Sequence, residues 1–168
     1  FSGTGQVRSP QAVRDALVQR YLDAGGKSIA ARATRVSVDE AGARVMTDAG
    51  ASIEADGLVV CAGAWSSPVM AQLGATAPLI GERGYSVQSA KHDWPETLPL
   101  TVFEEQALVV SRFSDGLRAS SFVEFGKPDA PPDARKWRVI ERALGKLGIA
   151  FDQRPDRWMG PRPTLPDY

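Results

Sequence analysis

Residues Gly57–Gly74 read GLVVCAGAWSSPVMAQLG. Leu58-Val59-Val60-Cys61 is an apolar run as long as a buried strand, set between polar Asp56 and small Gly63. Ala62-Gly63-Ala64 follows with almost no side-chain bulk, which lets a ligand lie against the peptide groups. Ser66 and Ser67 offer an N-cap hydroxyl, and Pro68 suits the first helical position. Val69, Met70 and Leu73 then form the apolar stripe of a short helix that stops at Gly74. A strand, a small-residue turn and a capped helix start together make a seat for an anion or a nucleotide. An ordinary strand-to-helix turn is equally consistent with the residues, because small-residue turns are common.

Upstream, Ser9-Pro10 opens a first helix by the same cap-and-proline device. Val13, Leu17 and Tyr21 recur at four-residue steps, and Gly25-Gly26 ends it, so a helix covering a sheet is expected. Thr34 to Val38 alternates apolar and polar. Arg44 to Thr47 and Ala51 to Glu54 follow across turns at Ala41-Gly42 and Asp48-Ala49-Gly50, the pattern of a β-meander leading into the Leu58 run.

Downstream, Ala77 to Val87 reads as an extended segment, its prolines and glycines suggesting a strand that crosses between two parts of the protein, with an edge strand bearing a surface Arg83 as the plainer alternative. Within it, Arg83-Gly84-Tyr85 sets a guanidinium and a phenol around a glycine. His92-Asp93-Trp94-Pro95 reads as an exposed turn. Leu100–Phe103, Ala107–Val110 and Leu117–Phe125 read as antiparallel strands, with Glu124 the charged exception. After a proline-rich linker, Trp137, Ile140, Leu144 and Leu147 form the stripe of a second long helix ending at Gly148. The tail Arg157-Trp158-Met159-Gly160-Pro161-Arg162-Pro163 holds Arg162 between two prolines. Their fixed φ restricts its backbone, which suits bidentate recognition of a carboxylate and also an ordinary surface ion pair.

Composition narrows the classes. The 168 residues carry 20 basic and 20 acidic side chains, so no basic surplus exists for nucleic acid. A hydrophobic share of 43% and a charged share of 24% suit a globular protein with a sizeable core. One cysteine excludes a disulfide framework or multi-Cys metal site, and one histidine, His92, removes most zinc and Ser-His-Asp arrangements. No apolar run is long enough for a transmembrane segment and no targeting segment is visible, so a cytoplasmic location is expected, with peripheral inner-membrane attachment left open. The start at Phe1-Ser2-Gly3-Thr4-Gly5 and the stop at Tyr168 suggest a fragment of a longer protein.

In order and spacing, Ala55 to Ser66, Pro78-Leu79 with Arg83-Gly84-Tyr85, and Trp158 to Pro163 with Leu165-Pro166-Asp167 resemble the FAD-dependent D-amino acid oxidase and dehydrogenase superfamily. The likeness is to the bacterial D-amino acid dehydrogenase branch, with glycine and sarcosine oxidases as relatives. The resemblance implies FAD as cofactor and a small amino-acid substrate. The reaction it implies is hydride transfer from the substrate Cα–H to flavin N5, followed by hydrolysis of the imino acid to a 2-oxo acid and ammonia. It implies cofactor contact at Cys61, Ala62, Gly63, Ala64, Trp65 and Ser66, adenine contact at the backbone of Val36, and a substrate-carboxylate clamp at Arg162, with Tyr85 as a substrate neighbour. No side chain is expected to act as a catalytic acid or base. No GxGxxG loop occurs in these residues, so the chain by itself is expected to be inactive and to bind FAD weakly.

The expected fold is α+β: a mostly antiparallel substrate-domain sheet with helices on one side, plus a β-meander from the FAD-binding domain. Residues 1–75 are expected to belong to the FAD-binding domain and residues 76–168 to the substrate-binding domain, truncated at its C-terminus. One departure bears on the substrate: the strand before the linker reads Ser120-Ser121-Phe122-Val123-Glu124, where relatives often carry glycines ahead of the glutamate. A non-catalytic interaction domain and a flavin-dependent 2-hydroxy acid dehydrogenase are the alternative readings. The substrate, the electron acceptor (oxygen or quinone) and the oligomeric state are not legible in the residues.

Overall fold

A computed structural model of the chain describes residues 5–167. Helix α1 (Pro10–Asp23) starts as its residues dictate: the Ser9 hydroxyl accepts the Ala12 N–H at 3.1 Å, and Pro10 takes the first turn. The expectation that α1 covers a sheet is not met, because none of its residues is buried among the described residues. The segment before it is tied down instead, with Ser114 donating to the Arg8 carbonyl at 2.8 Å.

Strands β1 (Ala33–Asp39), β2 (Gly42–Thr47) and β3 (Ser52–Ala55) form the expected antiparallel meander, with Val36 opposite Val45 and Val45 opposite Ile53. Gly42 has φ +129°, and a Cβ there would stand 2.6 Å from the Ala55 carbonyl, so the turn needs glycine.

The Leu58–Cys61 run is not the buried strand its composition suggests. It is extended but pairs with no strand among the described residues, and Val59 is 84% exposed. A doubly apolar strand requires a sheet on both sides, and β3 ends at Ala55 before this run begins. A 3-10 turn (Gly63–Trp65) and helix α2 (Ser66–Gln72) follow. The expected serine cap is also absent. Trp65 holds the cap position without a side-chain bond, Ser66 already lies within the helix, and the Ser67 hydroxyl donates to the Ala77 carbonyl at 2.5 Å. The preceding 3-10 turn runs straight into α2, its Trp65 and Ser66 N–H groups bonding to the Ala62 and Gly63 carbonyls, so Ser66 is drawn into helical geometry.

The larger sheet contains β4 (Ile80–Ser89), β5 (Thr101–Phe103), β6 (Leu108–Phe113), β7 (Gly116–Gly126) and β8 (Asp156–Thr164), in the antiparallel order β5-β6-β7-β4-β8. Helix α3 (Ala134–Lys146) crosses one face, and Ile140 and Leu144 pack there with Tyr85, Val87, Leu108, Val110, Leu117 and Ala119 to make the core. The expected α+β class holds.

Two readings need correction, and one segment gains a definition. β4 lies inside the sheet rather than at an edge, and Arg83 is buried. Trp94 is not an exposed turn residue; it joins the core with its ring edge-on to Phe103 at 6.3 Å. The proline-flanked tail is a strand, β8, at the sheet edge. Pro161 and Pro163 are two apart, so their missing N–H groups fall on the same side, away from β4, where no partner is lost.

Candidate functional site

The pairing of β4 with β8 sorts the candidate residues onto two faces. Tyr85 lies on the α3 face. Its ring is buried edge-on to Trp137 at 5.5 Å and to Phe122 at 6.1 Å. Its hydroxyl donates to Glu124 Oε2 at 2.8 Å and accepts from Arg83 Nη2 at 3.2 Å and from the Asp133 N–H at 3.1 Å. Lys136 Nζ completes the cluster 2.5 Å from Glu124 Oε1. The Lys136 hydrogen bond, together with that of Tyr85 and the charges of Lys136 and Arg83, holds the Glu124 carboxyl below the usual glutamate range against the opposing effect of its partial burial. Arg83 Nη2 also donates to the Pro131 carbonyl at 2.8 Å. Arg83, Tyr85 and Glu124 therefore knit the sheet to the linker and helix that follow it.

Residues 82, 84 and 86 face the opposite way, away from α3. Here Arg162 stands directly across from Glu82 in the β4–β8 register. Arg162 Nη1 donates to Glu82 Oε1, and Thr164 Oγ1 donates to Glu82 Oε2 at 2.9 Å. The Glu82 side chain is 9% exposed and that of Arg162 54%. Gly84 and Gly160 face each other one step further along. The Arg162 guanidinium lies where a side chain on Gly84 would go, and the Trp158 indole occupies the same place over Gly160. Two flat groups thus rest on a floor of bare main chain. Trp158 and Phe125 are 62% and 58% exposed and form an apolar rim.

The small-residue turn adjoins the edge strand of this sheet: residues Gly63–Trp65 pack beside β8. Trp65 Nε1 donates to Asp129 Oδ1 at 2.9 Å, fastening the turn to the linker after β7. Gly63 has φ +54° with open space where a Cβ would stand. Cys61 and Gly63 are exposed, Ala62 and Ser66 half-buried, and Ala64 buried. Val36 is reached through α2, whose Gln72 Oε1 accepts the Val36 N–H at 3.0 Å.

The structure therefore packs the Gly63–Trp65 turn against β8, the strand that carries Arg162, ties Val36 to the same turn through one short helix, and sets Tyr85 on the other side of the sheet from Arg162. Glu82, Gly84 and Gly160 carry no role in the sequence reading. The signal available for Glu82 was its place in Gly81-Glu82-Arg83-Gly84, four residues poorly suited to the interior strand they occupy.

Comparison with known proteins bears on this arrangement. The family model described as FAD dependent oxidoreductase matches residues 1–168. A D-amino-acid oxidase of Bradyrhizobium diazoefficiens is 33% identical over 174 residues, covering 97% of this chain and 40% of that protein. A D-amino acid dehydrogenase of Vibrio vulnificus is 33% identical over 126 residues, covering 73% of this chain and 30% of that protein. Among solved structures, glycine oxidase from Geobacillus kaustophilus superposes with a TM-score of 0.69 at 21% identity, covering 91% of this chain and 42% of that one. L-proline dehydrogenase from P. horikoshii gives 0.72 at 15% identity, covering 92% and 44%. At these identities the superpositions speak to fold alone. The chain spans less than half the length of these relatives.

Proposed function

We propose a function from the premise that this chain belongs to the DAO family of FAD dependent oxidoreductases: it forms part of an enzyme that oxidises the C–N bond of a D-amino acid or a related amino acid. Residues 1–75 would contribute to the FAD-binding domain and residues 76–168 to the substrate-binding domain. The observation that supports this most is Arg162, its guanidinium over Gly84 on the open face of the sheet, carried by the strand against which the Gly63 turn packs.

The fit to the cofactor differs between the two proposed contacts. Open space over Gly63 and the exposure of Cys61 leave the turn's main chain free to meet a nucleotide, so Cys61 to Ser66 suit that role. Val36 suits it through its carbonyl, since its N–H is already bonded to Gln72. When bound, FAD supplies the acceptor for the hydride that leaves the substrate Cα.

The chain's own part is orientation. Arg162 takes the substrate carboxylate on its guanidinium, a planar fork matched to two oxygens. The glycine floor lets the substrate approach the main chain, and Trp158 and Phe125 exclude water from its apolar side chain. With the Cα–H presented in one direction, loss of hydride and of one amine proton gives the imino acid. Water then adds and ammonia leaves, yielding the 2-oxo acid. No acidic or basic side chain of the open face is required to move a proton, and positioning is the main contribution.

The test uses the full-length protein that carries these residues. Purified protein should release flavin on heating, and a D-amino acid should bleach the flavin absorbance anaerobically while the matching 2-hydroxy acid does not. Arg162→Ala should raise KM for the amino acid by an amount equivalent to about 2–4 kcal/mol of binding. Protein without flavin, or an unchanged KM in the variant, would overturn the reading.

A further inference from the structure

Glu82 presents a buried carboxylate on the open face, and nothing in the amino-acid chemistry above calls for one there. Its environment specifies it closely. Oε2 is fixed by Thr164 Oγ1 at 2.9 Å and Oε1 takes Arg162 Nη1, with both partners supplied by β8. The side chain is almost wholly shielded while that of Arg162 is half open. A buried carboxylate without a counter-charge is strongly disfavoured, so Glu82 holds on to the guanidinium rather than releasing it. Among the described residues, Arg162 makes its hydrogen bonds through Nη1 alone. Its Nε and Nη2, the other half of the fork, lie over Gly84 and make no hydrogen bond among the described residues.

We propose that Glu82 is the positioning residue of the carboxylate site: it anchors Arg162 by one nitrogen so that the remaining guanidinium edge is held, pre-oriented, for a carboxylate ligand. This rests on the reading of Arg162 as the clamp. An unanchored arginine has many rotamers over a glycine floor, because no Cβ at Gly84 or Gly160 restricts it. Glu82 removes that freedom before the ligand arrives, and so the ligand does not bear the ordering cost. Thr164 is the strut that keeps Glu82 itself in place.

The experiment uses the full-length holoenzyme and propionate, a carboxylate with no amine to oxidise, as a competitive probe. Glu82→Ala should raise the inhibition constant of propionate at least ~10-fold while kcat at saturating amino acid changes less than ~3-fold. Glu82→Gln keeps an oxygen for Nη1 and should stay within ~3-fold of wild type. Thr164→Val, which preserves the charge pair and removes only the strut, should raise the constant several-fold, and it carries the test should Glu82→Ala not retain flavin. An unchanged propionate constant in Glu82→Ala and Thr164→Val, or Glu82→Gln as impaired as Glu82→Ala, would overturn the assignment. Arg162→Lys separates the two readings. If it too leaves the constant unchanged, the clamp itself is wrong; if it alone raises the constant, only Glu82's role is lost.

Discussion

The Tyr85 hydroxyl serves three partners at once, Arg83, Glu124 and the Asp133 N–H. Tyr85→Phe should therefore act on stability and not on substrate. Denaturant unfolding should show a loss of about 1–3 kcal/mol, the cost of leaving buried polar groups unpaired, with KM for the amino acid unchanged. Glu124→Ala removes the carboxylate from beside a buried Arg83 and should cost more, about 3–5 kcal/mol. By residue type, Tyr85 and Arg162 are both reasonable substrate neighbours. What separates them is the register of β4 against β8, two strands distant in sequence, and neither segment records it. Arg162 drew attention because the prolines on each side of it mark a fixed position, which left a carboxylate clamp and an ion pair both open. Glu82 drew none, because an unpaired glutamate and a buried anchor have the same letter.

Helix α3 shows an element whose start and face were both legible. Its stripe from Trp137 to Leu147 meets the sheet as the spacing requires, and the Asp133 side chain accepts the Arg135 N–H. The Arg135 guanidinium, and then its N–H, hold the Asp133 carboxyl down to about 2, and Lys136 lowers Glu124. Both carboxyls bind protons more weakly folded than unfolded. Their stabilisation is complete above the ordinary carboxylate range and disappears as pH falls through it, towards about 2 for Asp133. Thermal unfolding followed from neutral pH into acid should show a falling Tm. Asp133→Asn, which keeps the cap but cannot titrate, should make that fall shallower. The Leu58–Cys61 run was misread for the opposite reason: composition reports how apolar a strand is, and only the surroundings decide whether it pairs. On β4, Gly84→Ala tests the floor. Its Cβ would displace the far end of the Arg162 side chain, not backbone, so the fold should persist while KM rises; an unchanged KM would show that Arg162 does not work from over Gly84.

Across the whole molecule, order is unevenly distributed. The five-stranded sheet and α3 share one core, whereas α1 leaves Val13, Leu17, Val18, Tyr21 and Leu22 exposed. Hydrogen exchange on the isolated 168 residues should show the α1 amides exchanging far faster than those of β4 and β7, since opening them exposes no buried surface. Slow exchange along α1 would show that it packs against something. FAD titrated into the same chain should give no saturable binding at micromolar concentration, because no GxGxxG loop is present to hold its pyrophosphate. The α+β class and the meander could be read at this scale from alternation and turns. The second face of the large sheet could not, since it exists only once β8 is laid beside β4.

Gly84 and Gly160, facing each other across that junction, leave the base of the site without any side chain to exchange. On the proposed reading, altered preference among amino acids would arise at the margin, by resizing Trp158 or Phe125, changes that leave the peptide platform and its arginine where they are.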